Sequence, residues 1–257
     1  MTVGTHDRVA MCSRYDLTTP PEAVRAFFGY LDKPNFPPRD NIRPTEPIPV
    51  VLLDAEEQRR FRLMRWGLLP HFVKDPKEFP TLFNARSEEL LKKPSFRNAA
   101  RRRRCLLPAD GFYEWTGPKG ARRPYYLRPR PPHLFAFAGL YESWSEPEGG
   151  VIDTATMLTC TPNATVAPLH NRMPVILAPE CYNAWLDTKN VSAEEALAMT
   201  GPAPDDLLEA IPVPGKVGAK PKASKKEKPS KTERASKSEN GQNERDDEEE
   251  PSQPPLL

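Results

Sequence analysis

Apolar residues in this chain come in short runs broken by proline, glycine and charge, the pattern of many short strands with a few short helices between them. Residues 48–53 and 60–66, rich in Val, Ile, Leu, Met and Phe, predict the two strands of a hairpin. Further strands are predicted over Cys105–Pro108, Gly111–Thr116, Tyr125–Arg128, Leu134–Leu140, Thr154–Cys160 and Met173–Leu177, with a turn at Gly117-Pro118-Lys119-Gly120. A short helix opens at Pro20-Pro21-Glu22, with proline in its first turn and an apolar face of Val24, Phe27, Phe28 and Leu31. Residues 33–49 are proline-rich and read as an extended loop. Asn84–Leu90 reads as a turn entering a helix, Phe96–Arg104 as a basic helix, and Asn163–Leu169, Pro179–Leu186 and Ala193–Ala198 as short helices. The sum is an α+β domain over residues 11–213, built on a twisted, partly closed, barrel-like antiparallel β-sheet with short helices.

Composition changes the picture at the two ends. The 257 residues have a mean hydropathy of −0.65, low for a wholly globular chain. Residues 1–10 are polar and patternless and read as a disordered extension or a misassigned start. Residues 214–257 read as a disordered, charged, low-complexity tail. Its lysines come first, the acidic run Asp246–Glu250 comes last, and no aromatic residue offers a core. A formal net charge of +2 gives no field strong enough to name a partner, but Arg101–Arg104, with Arg97 just before, is a dense local run of basic charge. Four cysteines and four histidines without a Cys-x-x-Cys pair suggest no zinc site, and no metal or cofactor is expected. No apolar run approaches membrane-spanning length and no signal peptide precedes the domain, so a soluble intracellular monomer with reduced thiols and no membrane partner is expected.

The candidate chemistry begins at Met11-Cys12-Ser13-Arg14-Tyr15. If Cys12 becomes the N-terminus, it is a 1,2-aminothiol. Its amine, with an ordinary pKa near 8, condenses with an aldehyde, and its thiol then closes a five-membered thiazolidine. Read alone, Cys12 fits a small buried residue of an N-terminal strand better. Alternation along Gly111–Thr116 sets Phe112 and Glu114 on one strand face and Tyr113 and Trp115 on the other. A carboxylate beside apolar surface suits proton transfer near neutrality, although a solvent-facing edge glutamate has the same pattern. His170, between a short helix and a strand and beside Arg172, is an acid–base candidate or a surface histidine. Asn84 is placed at a helix N-cap, and Arg86 with Arg14 and Arg172 can form a phosphate-binding set. Trp66 before Gly67 offers a stacking face for a base, or packs in a core.

Taken in order, these residues form a constellation: Met-Cys-x-Arg, Arg-Trp-Gly, Asn-Ala-Arg-x-Glu, Arg-Cys-Leu-x-Pro-Ala-Asp-Gly-Phe-Tyr-Glu-Trp and His-x-Arg-Met-Pro. It resembles the SOS-response-associated peptidase (SRAP) family of abasic-site processing proteins, over about residues 11–213. The resemblance implies a protein that senses abasic sites in single-stranded DNA and crosslinks to them. Cys12 would be the N-terminal nucleophile, Asn84 would orient its amine, Glu114 would transfer protons near the sugar, and His170 would assist ring opening and reversal. Arg14, Arg86, Thr159 and Arg172 match phosphate-holding positions, and Trp66-Gly67 the segment that stacks on or wedges the bases. The family's peptidase label implies autoproteolytic release of the cysteine, with possible lyase activity. It also implies a cytoplasmic, nucleoid-associated protein if bacterial and a nuclear one if eukaryotic. Ser13 stands where the family usually has Gly, and Arg43 where it usually has Ala. Two other readings stay open: a cysteine peptidase using Cys12, His170 and Glu114 on protein substrates, and a non-covalent single-stranded DNA-binding protein.

Overall fold

A computed structural model describes residues 13–118, 120–146, 149–215 and 217. Cys12, the N-terminal extension and nearly all of the expected tail lie outside the described residues. In chain order the elements are β1 (Tyr15–Leu17), α1 (Pro21–Phe28), β2 (Arg39–Ile42), β3 (Pro47–Leu53), β4 (Arg59–Trp66), β5 (Asn84–Arg86), α2 (Pro94–Arg102), β6 (Arg104–Ala109), β7 (Gly111–Thr116), β8 (Arg123–Pro129), β9 (Phe135–Ser145), β10 (Val151–Cys160), β11 (Met173–Pro174), β12 (Ile176–Leu177), α3 (Tyr182–Leu186), α4 (Ala193–Leu197) and β13 (Leu208–Pro212).

The local chemistry accounts for most boundaries. Proline opens α1, and Gly29 closes it in the left-handed conformation at φ 67°. The β3–β4 hairpin turns at Asp54, whose side chain accepts from the Glu56 and Gln58 amides. Ser192 and Glu195 form a reciprocal capping box on α4.

Five strands close a barrel: β3 pairs β4, β4 pairs β10, β10 pairs β9, β9 pairs β6 and β6 returns to β3. The expected barrel-like sheet is therefore a complete ring, and β4–β10 within it is parallel, as is the β5–β10 pairing beside it. A second, open sheet runs β13-β8-β7-β1-β2. The chain passes from barrel to open sheet within one residue, Asp110, between β6 and β7. Asp110 holds the crossing: its carboxylate accepts from the amides and hydroxyls of Thr18 and Thr19.

The two sheets meet through aromatic rings. Tyr15 is fully buried and packs edge-on against Trp66 at 5.3 Å and Phe137 at 5.8 Å, while Phe112 meets Phe137 at 5.9 Å. Trp66 is wholly buried and its Nε1 donates to the Phe83 carbonyl at 2.7 Å.

Several local expectations are corrected. Asn84–Arg86 is a strand, because pairing with β10 (Met157 opposite Asn84, Thr159 opposite Arg86) outweighs the local capping preference of Asn84, and the expected helix entrance falls two residues later, where Arg86 is the N-cap of a short 3-10 helix, Ser87–Glu89. Residues 33–49 hold β2 and the start of β3. The segment 164–169 is a series of turns rather than a helix, fixed by Asn163, whose Oδ1 accepts from the Val166 amide. Arg104 leaves the basic helix for β6 and is buried, donating to the carbonyls of Trp185, Ala100, Asp187 and Val191.

Asp16 of β1 makes the open sheet sensitive to pH. It is 6 % exposed, accepts from the Tyr126 hydroxyl at 3.2 and 3.0 Å, and faces the like charges of Asp110 and Asp40. Burial, with smaller help from those carboxylates, pushes its pKa up to about 7. A raised carboxyl pKa means the native state binds the proton more tightly. The stability it contributes is full below the unfolded pKa near 4 and is lost as pH rises toward 7, by at most about 4 kcal/mol. Urea midpoints at pH 5 and pH 8 should therefore fall further for wild type than for Asp16→Asn; equal changes in the two proteins would refute this role.

Candidate functional site

The end of the chain that carries Cys12 is aimed by β1. Tyr15 lies opposite Phe112 and Asp16 opposite Gly111 on β7, and the Tyr113 amide donates to the Arg14 carbonyl at 2.9 Å. Continuing that register by one step sets Ser13 opposite Glu114. Glu114 is 1 % exposed, so the strand alternation read from the sequence is realised and the solvent-facing alternative is not. Tyr113 and Trp115 occupy the other, half-buried face. The Arg14 guanidinium lies 5.5 Å over the Trp115 ring and donates to Asn41 Oδ1 at 3.1 Å.

The second group of candidates lies on β5, β10 and the loop before β11. Phe83, next to Asn84, meets Trp66 edge-on at 6.1 Å, and Trp66 in turn packs on Tyr15, so the aromatic core joins the base of β5 to β1. Asn84 is half-buried and Arg86 is exposed, one strand residue apart. Thr159, opposite Arg86, is fully buried with its Oγ1 3.4 Å from the Ala85 carbonyl. His170 is half-buried. Its Nδ1 lies 3.1 Å from the Arg172 amide and 3.3 Å from the Arg172 carbonyl, so it accepts from the amide in one tautomer and donates to the carbonyl in the other. Burial lowers the His170 pKa below its ordinary value; the backbone contact to Arg172 opposes this, and the charges of Arg122 and Arg172 add to the lowering.

Two sequence expectations do not survive this geometry. Trp66 cannot stack on a base from inside the core; it is the ring on which Tyr15 and Phe83 pack. Gly67 is buried too, at φ 138°, where a Cβ would come within 2.7 Å of Thr81 Cγ2 and 3.0 Å of Arg65 Nη1. Thr159 does not reach a phosphate either. Its carbonyl accepts from Arg172 Nη2 at 2.7 Å, so it holds the arginine instead. The half-buried Trp115 is the aromatic face that the reading from sequence passed over.

A second residue it passed over is Glu88. Its two oxygens take both ends of the Arg172 guanidinium, at 2.7 and 2.8 Å, across 84 residues of sequence. The Arg172 side chain is only 12 % exposed, whereas Glu88 is 48 % exposed at the rim. Arg172 holds the Glu88 carboxyl below its usual range. An incoming phosphate can therefore grip the Arg172 fork only by displacing Glu88.

Of the three described cysteines, Cys181 is partly exposed and the other two are not. Cys105 and Cys160 are buried, and burial raises both thiols, Cys160 up to about 12, so neither is a thiolate near neutrality. Among the described residues there is no group of three or more His, Cys, Asp or Glu able to hold a metal ion.

Comparisons with known proteins bear on this site. Residues 11–220 match the family described as SOS response associated peptidase (SRAP). The abasic site processing protein YoqW of Bacillus subtilis is 37 % identical over 214 residues, 81 % of this chain and 95 % of that one. The abasic site processing protein HMCES of Xenopus tropicalis is 30 % identical over 236 residues, 75 % of this chain and 70 % of that one. A solved protein from Bordetella bronchiseptica, 27 % identical, superposes with a TM-score of 0.68 over 79 % of this chain and 99 % of its own. One from Bacteroides thetaiotaomicron, 22 % identical, shares the fold with a TM-score of 0.72 over 79 % of this chain and 92 % of its own.

The Arg172–Glu88 fork makes a specific expectation. Glu88→Gln removes the competing charge and should tighten binding of a single-stranded oligonucleotide about fivefold, the effect of roughly 1 kcal/mol. The gain should disappear in an Arg172→Ala background. Fluorescence anisotropy at fixed salt measures both; weaker binding by Glu88→Gln would show instead that Glu88 orients the arginine for its ligand.

Proposed function

The chain belongs to the SOS response associated peptidase (SRAP) family, and from that premise we propose that it processes abasic sites in single-stranded DNA by linking them covalently to Cys12. What supports the reading is the register of β1 against β7, in which the Tyr113 amide bonds the Arg14 carbonyl next to the buried Glu114. Burial of the Cys105 and Cys160 thiols supports the same choice of nucleophile.

On this reading the peptide bond before Cys12 is hydrolysed, or the chain starts at Met11 and that residue is trimmed, so that the α-amine is free. The neutral amine adds to the aldehyde carbon of the ring-opened sugar, and loss of water gives the Schiff base. The thiol then adds across the C=N bond. Sulfur bonds to the former aldehyde carbon and the proton goes to nitrogen, closing the thiazolidine with no oxidant or reductant. Glu114, in a nearly water-free setting beside the strand that carries the nucleophile, moves the proton between amine, carbinolamine oxygen and thiol. Neutral His170 offers a ring N–H hydrogen to the sugar ring oxygen as the ring opens. Asn84 orients the amine. Arg14, Arg86 and Arg172 hold the strand by its phosphates, and Trp115 with Arg14 supplies a stacking surface.

Cys12→Ser tests the ring closure. Serine retains the amine but is a poorer ring-closing nucleophile, so the heat-stable adduct with an abasic oligonucleotide should vanish while a borohydride-reducible Schiff base persists. An adduct as abundant and heat-stable as that of wild type would exclude the thiazolidine.

The N-terminus provides a separate test. With residues 1–11 retained, the nitrogen of Cys12 is an amide, its lone pair delocalised into the carbonyl, and it cannot form a Schiff base. A chain whose intact mass shows residues 1–11 still attached should bind abasic DNA without trapping it on a denaturing gel, whereas a chain beginning at Cys12 traps it. Full trapping with the extension intact would redirect the search to a side-chain amine.

A further inference from the structure

The arginine-rich run noted in the sequence divides four ways in the fold. Arg104 is buried among carbonyls, Arg103 pairs with Glu142 at 3.1 Å, and Arg102 lines a small cleft with Asp54 and Glu57. Arg101 is left exposed, and with Arg97 and Lys93 it repeats every fourth residue along α2. That spacing sets the three, from the N-cap Lys93 onward, on one stripe that flanks the face buried by Phe96, Ala99 and Ala100. The helix contains no acidic residue, and neither Arg97 nor Arg101 forms an ion pair or side-chain hydrogen bond among the described residues. The stripe is continuous with the proposed site. Glu89 lies 3.9 Å from Arg86 and 2.5 Å from Lys93, so one carboxylate sits between the last cation of the site and the first of the stripe.

We propose that this ridge, from Arg86 through Lys93 and Arg97 to Arg101, is a second DNA-binding surface that carries the phosphate backbone of the strand flanking the abasic nucleotide. The inference rests on the reading of the site as a single-stranded DNA site and extends it outward. From Lys93 to Arg101 the helix adds about 12 Å of track. Arg97 and Arg101, exposed and without a paired carboxylate, continue a row in which Arg86 and Lys93 share the single charge of Glu89, and a row of net positive charge favours a polyanion whose charges are themselves in a row. Because they touch no base, they contribute affinity and salt dependence without sequence preference. The ridge would therefore set how much flanking strand the protein covers.

Arg97→Ala with Arg101→Ala, made in the full chain, tests this with two substrates. On an abasic oligonucleotide of about seven nucleotides, within the span of a single binding site, the double variant should trap as well as wild type. On an undamaged strand of about forty nucleotides, the slope of log affinity against log salt should flatten by about 1.4, at about 0.7 per lost contact with a single strand, and the charge reversal Arg97→Glu with Arg101→Glu should flatten it further. An unchanged slope on the long strand overturns the proposal, as does equal loss on both substrates. If the ridge holds the chain's own acidic run Asp246–Glu250 instead, the double variant binds the long strand as tightly as wild type or more tightly, and the proposal fails in that way too. Absence of any adduct with wild type on the short substrate would count against the crosslinking reading alone, since the equilibrium slopes stand without it.

Discussion

The packing of Tyr15 into the barrel wall is the constraint on which both fold and site depend. Its ring sits edge-on to Trp66 of β4 and to Phe137 of β9, two strands of the closed ring, while its backbone belongs to the open sheet. Edge-to-face pairs of this kind are each worth about 0.5–1.5 kcal/mol beyond the area they bury. Their larger effect here is directional. With Tyr15 fixed, the backbone of Arg14 is held against β7 by the bond from the Tyr113 amide, one residue from the buried Glu114.

Closure of the ring has a second consequence. A meander of antiparallel strands would bring β4 and β10 together only by a long return, and here they meet in parallel. Parallel neighbours are joined through distant connections, and the connection leaving β4 is long enough to lay β5 along β10 as well. Asn84 and Arg86 are therefore held by a strand on the barrel. Such a strand fixes their backbone more rigidly than a loop does.

What could be read from the sequence followed its local patterns. The β3–β4 hairpin, the strands from Cys105 to Cys160, the proline-opened α1 and the shared face of Phe112 and Glu114 all rest on periodicity within a few residues, and each is present, whereas the expected strand Met173–Leu177 is divided into β11 on β10 and β12 on β9. Asn84 was misplaced because its cap-forming chemistry is local whereas its β-pairing partner, Met157, is remote. Arg104 looked like part of a basic face because its carbonyl partners in residues 185–191 have no sequence signature. Trp66 matched a motif for stacking, but a motif records residue type and order and says nothing about which side of a sheet a ring faces. Glu88 stood inside a motif without a role for the same reason, since its partner lies far along the chain.

The Arg172–Glu88 pair also acts as a filter on what the site will hold. Glu88 is tethered, so the arginine faces a carboxylate at a local concentration that no dilution of the surroundings can lower. A lone chloride, inorganic phosphate or free nucleotide must outcompete that fixed neighbour with a single contact. A phosphate within a polynucleotide arrives already held by the contacts on either side of it, and its own local concentration can match that of the carboxylate. On the proposed reading, the pair shields the resting protein from the abundant small anions of its surroundings and yields this arginine to a ligand that is itself a chain.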